Sequence, residues 1–173
     1  MLVRVQAPDA PAELPKRNPL HLAHVIDRSG SMSGQPLDEA KRCAEFVLDG
    51  LQATDRLSLV VYDNQVQTLV PTMLLHDKEF ARRAIRDIDS GGSTDLHGGW
   101  FQGAETLAPH TKENITSRVI LLSDGCANHG LLDHDQIFAQ CAEFARAGVS
   151  TSRVPGSTGS GSVSRSNRRP SGA

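Results

Sequence analysis

Between residues 21 and 154, short apolar runs alternate with stretches whose apolar residues recur every three or four positions. This alternation restricts the chain to few folds. The runs at residues 21–27, Arg56–Asp63 and Arg118–Ser123 have the length and continuity of strands buried on both faces. Between them, Leu37, Ala40, Ala44, Val47, Leu48 and Leu51 fall on one side of a helix that Pro36 suits at its first turn. Phe80, Ala81, Ala84, Ile85 and Ile88 mark a second helix that stops near Ser90-Gly91-Gly92. Trp100, Phe101, Ala104, Leu107 and Ala108 mark a third, ended by Pro109, and the paired aromatics read as core. Ile137, Phe138, Cys141, Phe144 and Ala145 form the face of a fourth, closed by Gly148, and Val149–Val154 begins another strand. Strands separated by amphipathic helices imply an α/β fold: a Rossmann-like, doubly wound, mostly parallel sheet with helices on both faces. One strand departs from this. Asn64-Gln65 is a two-residue turn, so Val66–Met73 returns antiparallel.

A chain of 173 residues holds one ordinary domain with a real core. Hydrophobic content of 38% and charge of 22% describe a soluble globular protein. The net charge is −2, and taking away the positive charges of Arg153, Arg165, Arg168 and Arg169 leaves −6 on the remainder. A mildly acidic body favours a cation over a polyanion, so no nucleic-acid partner is expected. Cys43, Cys126 and Cys141 show no C-x-x-C spacing, and Cys43 and Cys141 fall on apolar helix faces, which argues against a zinc knuckle or a disulfide framework. No long apolar stretch marks a signal peptide or membrane span, which makes a cytoplasmic location the default expectation. Asn114-Ile115-Thr116 matches a glycosylation acceptor and, with no secretion signal, reads as chance.

The chain divides into three parts. Residues 1–20 begin with the alternating Leu2-Val3-Arg4-Val5, turn Pro-rich, and read as a strand and linker. Residues 21–152 carry the domain. Residues 153–173 are nearly half Ser or Gly with almost no apolar residue, a composition expected to stay disordered. That tail is either a flexible end or the product of a frame change or artificial junction.

Ligands of doubly wound sheets sit outside the carboxyl ends of the strands. Asp27 and Asp124 lie at two such ends. Asp27-Arg28-Ser29-Gly30-Ser31 sets a carboxylate and two hydroxyls at alternate positions, while Gly91-Gly92-Ser93-Thr94-Asp95 and Asp124-Gly125 supply further oxygens. Hard oxygen donors of this kind suit Mg²⁺. Taken singly, the serines also read as helix caps and Asp124-Gly125 as a plain turn. Asp63 reads as a turn residue, and Asp95 either as a group standing behind the ligands or as one that fixes its loop. Gly91 and Gly92 allow the Thr94 loop a close approach, and Arg28 is expected to face solvent or a partner's acid. His21, His24, His129 and His134 make no zinc motif and are expected to be satisfied or exposed.

Taken together, Asp27, Ser29, Ser31, Thr94 and Asp124 resemble the D-x-S-x-S…T…D signature of the von Willebrand factor type A domain, over roughly residues 21–152. The style of the first segment is most like stand-alone bacterial members and inter-alpha-trypsin-inhibitor-type relatives. The resemblance implies a metal-ion-dependent adhesion site. Ser29, Ser31 and Thr94 would ligate Mg²⁺ (or Mn²⁺) through hydroxyls, and Asp27 and Asp124 would hold coordinated waters, with Asp124 sometimes binding directly. It further implies a non-enzymatic protein-binding module in which the ion takes an Asp or Glu carboxylate of a protein partner. The family fold normally closes with a further strand and helix, which nothing in residues 153–173 can form. An incomplete, weakly functional copy is therefore the alternative. An Mg²⁺-dependent hydrolase or phosphatase is a third reading, disfavoured because Ser29 stands where an aspartyl-phosphate enzyme needs its second carboxylate, and because no suitable Lys or G-x-S-x-G elbow is present.

Overall fold

The computed structural model describes residues 17–124 and 134–155, with backbone only for 134–138 and 155. The chain order is β1 (Leu20–Asp27), α1 (Gln35–Gly50), β2 (Arg56–Tyr62), β3 (Val66–Leu74), α2 (Lys78–Arg86), α3 (Leu96–Leu107), β4 (Thr116–Ser123), α4 (His134–Arg146) and β5 (Val149–Pro155). The sheet runs β3-β2-β1-β4-β5. β1 pairs in parallel with β2 and β4, β4 pairs in parallel with β5, and β3 is antiparallel to β2, as the Asn64-Gln65 turn requires. The chain builds outward from β1 in one direction and then returns to build in the other. The β1–β4 boundary is therefore the topological switch point, where the loops at the strand ends diverge and open a crevice.

Each sheet face buries its own core. Leu22 and Ile26 of β1 pack with Leu57, Leu59 and Val61 of β2 beneath Leu37, Ala40, Ala44 and Leu48 of α1 and Ala81 and Ile85 of α2. Ala23 and Val25 face the other way, against Val60, Val119, Leu121 and the α3 residues Trp100, Ala104 and Leu107. α3 lies unusually close to the sheet. A Cβ at Gly99 would collide with the Tyr62 ring, and one at Gly103 with Val25, so two glycines one turn apart set the helix-sheet distance.

Several expectations need correction. Phe80 is 46% exposed, because the buried stripe of α2 runs through Ala81 and Ile85 and leaves Phe80 at its margin. α2 ends at Arg86, so Ile88 is buried from beyond the helix. Cys141 and Ala145 are exposed: α4 covers only the sheet margin, where half-buried Phe144 meets Trp100 and Phe101 edge to face. β5 extends to Pro155, so Arg153–Pro155 belong to the sheet and not to the tail. Leu2–Val5, Gly125, Cys126, His129, the side chains of His134, Ile137 and Phe138, and the tail from residue 156 lie outside the described residues. No helix among the described residues is long and apolar enough to cross a membrane.

Candidate metal centre

β1 ends on Asp27, and β4 ends on Ser123 with Asp124 directly after it. Adjacent parallel strands in register bring these ends together. Asp27 is fully buried and accepts three hydrogen bonds. Its Oδ1 takes the Ser29 backbone N–H at 2.9 Å, and its Oδ2 takes the Tyr62 hydroxyl at 3.2 Å and the Ser123 hydroxyl at 3.0 Å. These three donors are neutral. Tyr62 stays a phenol at any working pH, because burial first and the Asp27 charge second push its pKa well above the usual range.

The Asp27–Ser29 contact bends the chain into the loop and aims the next hydroxyls at one another. Ser29 is buried, Ser31 is exposed at the start of a 3₁₀ turn (Gly30–Met32), and their Oγ atoms lie 3.2 Å apart. Neighbouring oxygens around Mg²⁺, each about 2.1 Å from the ion, are about 3.0 Å apart. The two serines thus have nearly the spacing of adjacent ligands. The donor chemistry fits a hard cation as well. Among the described residues no three His, Cys, Asp or Glu side chains gather in one place, so hydroxyls dominate the available set.

The Thr94 loop is held against this one by backbone bonds. Gly91 N–H donates to the Arg28 carbonyl at 2.6 Å, and Gly30 N–H donates to the Gly92 carbonyl at 2.8 Å. On the far side of Thr94, Asp95 N–H donates to the Asp63 carbonyl at 2.7 Å, and Asp95 Oδ1 caps α3 by accepting Gly98 N–H at 2.9 Å. Thr94 itself is buried. A Cβ at Gly91 would overlap the Asp63 carboxylate, and one at Gly92 would lie 2.7 Å from Asn64 Oδ1, so the close approach requires both glycines.

Asp27, Ser29 and Ser31 are therefore linked directly. Buried Thr94 and half-buried Asp124 stand in the two loops that border them. Asp95 fixes its loop as expected. Asp63 does more than turn the chain: its Oδ1 accepts Gln65 N–H at 2.7 Å, and its Oδ2 lies 3.1 Å from Arg28 Nε. That Nε makes no aligned hydrogen bond, so charge attraction alone ties Arg28 down. Arg28 is thus paired within the protein and not simply solvent-facing. Sequence reasoning missed Tyr62 and Ser123. The available signal was a polar residue at the very end of each apolar strand.

The matches to known proteins follow the same region. A family model described as von Willebrand factor type A domain matches residues 22–127. An uncharacterized protein of Synechocystis is 34% identical over 121 residues, covering 70% of this chain and 28% of that protein. Inter-alpha-trypsin inhibitor heavy chain H1 of Bos taurus is 31% identical over 136 residues, covering 74% of this chain and 15% of the relative. The chain thus spans under a third of either relative's length. Proximal thread matrix protein 1 from the mussel byssus, solved with a zinc-occupied MIDAS motif, superposes with a TM-score of 0.63 at 18% identity, covering 79% of this chain and 37% of that one. At that identity the likeness is one of fold.

Proposed function

Because this chain belongs to the von Willebrand factor type A family, we propose that its strand-end loops hold a divalent cation and that the loaded site binds a protein partner through an acidic side chain. The family and its metal-occupied neighbour support a metal-dependent protein-interaction module in general. The finer reading is Mg²⁺, with Mn²⁺ as a substitute, on the hydroxyls of Ser29, Ser31 and Thr94, with Asp27 and Asp124 holding its waters. One observation carries it: a fully buried carboxylate with neutral hydrogen-bond donors stands directly behind a hydroxyl pair 3.2 Å apart, at the switch point of the sheet.

Each side chain has a distinct task. Asp27 accepts the Ser29 N–H and so fixes the loop, and its buried negative charge draws a cation toward the hydroxyls. Tyr62 and Ser123 keep that carboxylate from rotating. Ser29 and Ser31 offer oxygen without charge, which leaves a bound ion only partly neutralised. Bound there, the cation would supply Lewis-acid attraction for an external carboxylate. The reading is of a binding module and not an enzyme: the Tyr62 and Ser123 hydroxyls beside Asp27 serve to hold that carboxylate, and Ser29 stands where an aspartyl-phosphate enzyme needs its second carboxylate.

Water-proton relaxation with Mn²⁺ tests both halves. Saturable Mn²⁺ binding, displaced by Mg²⁺ and weakened at least tenfold in Ser29→Ala and Thr94→Ala, is expected. A peptide carrying a single Asp should then displace bound water, and its Asn counterpart should not. Unchanged Mn²⁺ affinity in both variants would refute the ligand set.

A further inference from the structure

At the other end of the sheet, where β1 and β2 begin, a 310 Å³ cavity is lined by residues that include His21, Thr54, Arg56, His110 and Lys112. Two cationic side chains and two imidazoles face this space, and none of its lining residues is acidic. Two carboxylates adjoin the lining residues in sequence: Glu113, which is exposed, and Asp55, which is engaged elsewhere while its charge still acts on His21. Asp55 is paired with Arg17 and accepts the backbone N–H groups of Leu20 and Gln52. The His21 and His110 rings meet edge to face, with centroids 6.4 Å apart.

A second observation points to a ligand. His21 is 4% exposed, and its Nδ1 has no hydrogen-bond partner. Ser117 sits beside His21 in register on β4, and its buried Oγ also lacks one. Unsatisfied buried polar atoms cost stability; His21 lines the cavity and Ser117 does not, so it is the His21 nitrogen that marks a missing partner there. Arg56 and Lys112 would repel a metal ion from the imidazoles. An oxyanion instead accepts hydrogen bonds from guanidinium, from ammonium and, once the ring takes up a proton, from the His21 imidazolium.

We propose that this cavity binds a free, multiply charged oxyanion of the phosphate or sulfate type, held by Arg56, Lys112, His21 and His110. The site is separate from the metal centre. His21 and Asp27 are six positions apart on β1, roughly 20 Å at strand rise. Burial first, then the Arg56 and His110 charges, hold the His21 pKa below its ordinary value against the opposing pull of a hydrogen bond to the His110 backbone and of the Asp55 charge, so an anion arriving there has a direct readout.

The test is an NMR titration of the His21 ring in the full chain, with inorganic phosphate and with sulfate, against sodium chloride at matched ionic strength. Phosphate and sulfate should raise the His21 midpoint saturably, by about one pH unit, and chloride should not. The Arg56→Gln/Lys112→Gln double variant should lose at least tenfold in phosphate affinity, with its thermal midpoint showing that it remains folded. Ser29→Ala, at the distant centre, should retain full affinity. An equal shift in chloride, or undiminished phosphate binding by the double variant, would overturn the proposal. Competition by O-phosphoserine as effective as phosphate itself would overturn the free ion as occupant.

Discussion

His24 makes the fold sensitive to acid, and the size of the effect follows from its surroundings. It lies mid-strand on β1, between Leu59 of β2 and Ile120 of β4, on the face that carries Leu22 and Ile26. It is completely buried, and neither ring nitrogen has a hydrogen-bond partner. Burial alone lowers its pKa from 6.5 to about 4. The unfolded chain therefore binds a proton below pH 6.5 that the folded chain refuses until about pH 4. Stability rises with pH across that window, is fully present above it, and is lost as pH falls through it. The shift corresponds to about 3 kcal/mol in all, of which about 2 kcal/mol is gone by pH 5. For a domain of ordinary stability that is a large share. Urea unfolding of the wild type and His24→Leu from pH 7.5 to pH 4.5 isolates the effect, because His21 and every other titrating group are common to both. At pH 7.5 the variant should be about as stable as the wild type, since the substitution removes two unsatisfied nitrogens along with the ring. At pH 5 the variant should be ahead by about 2 kcal/mol. Parallel stability curves would refute the reasoning, for they would mean that His24 is charged or hydrogen-bonded in the folded state.

Asp55 gives a second acid response in a separate window. Burial opposes its charge, but hydrogen bonds from Arg17, Gln52 and Leu20 outweigh that and hold its pKa below 3.8, so its contribution is present above 3.8 and lost as pH falls through the lower folded value. Asp55→Asn should cost about 1–3 kcal/mol at pH 7 in urea unfolding, and the gap should narrow toward pH 2. Tyr62→Phe removes one donor from Asp27 without touching a proposed ligand, and calorimetric titration should find Mg²⁺ bound about tenfold more weakly, with little change in thermal midpoint. Gly103→Ala pushes α3 off Val25 and should destabilise by about 1–3 kcal/mol in the same urea assay.

What could be read from the chain divides along physical lines. β1, β2 and β4 were legible because a strand covered on both faces leaves an uninterrupted apolar run, and α1 because its buried residues recur at helical spacing. The same logic failed at Phe80 and Cys141. Periodicity identifies a helix face but not how far the neighbouring layer extends, and α2 and α4 both reach past what they cover. At the site, Asp27, Ser29 and Ser31 were visible because local spacing sets their meeting. Tyr62 and Ser123 were not, since each acts on Asp27 from another strand and only the register Asp27↔Tyr62 and Ile26↔Leu122 brings them to it. Arg28 shows the same limit from the other side. Its placement in the loop suggested a group reaching outward, yet the antiparallel return of β3 positions Asp63 to hold it back. On the proposed reading, a partner's acid would have to compete with Asp63 for that guanidinium, and Asp63 is in turn anchored by Gln65 N–H and by the Gly91 approach. The loop that carries Thr94 and the pair that restrains Arg28 are thus one unit, so on the proposed reading the charge a partner would meet is set by the same contacts that hold the Thr94 loop against the Asp27–Ser31 loop.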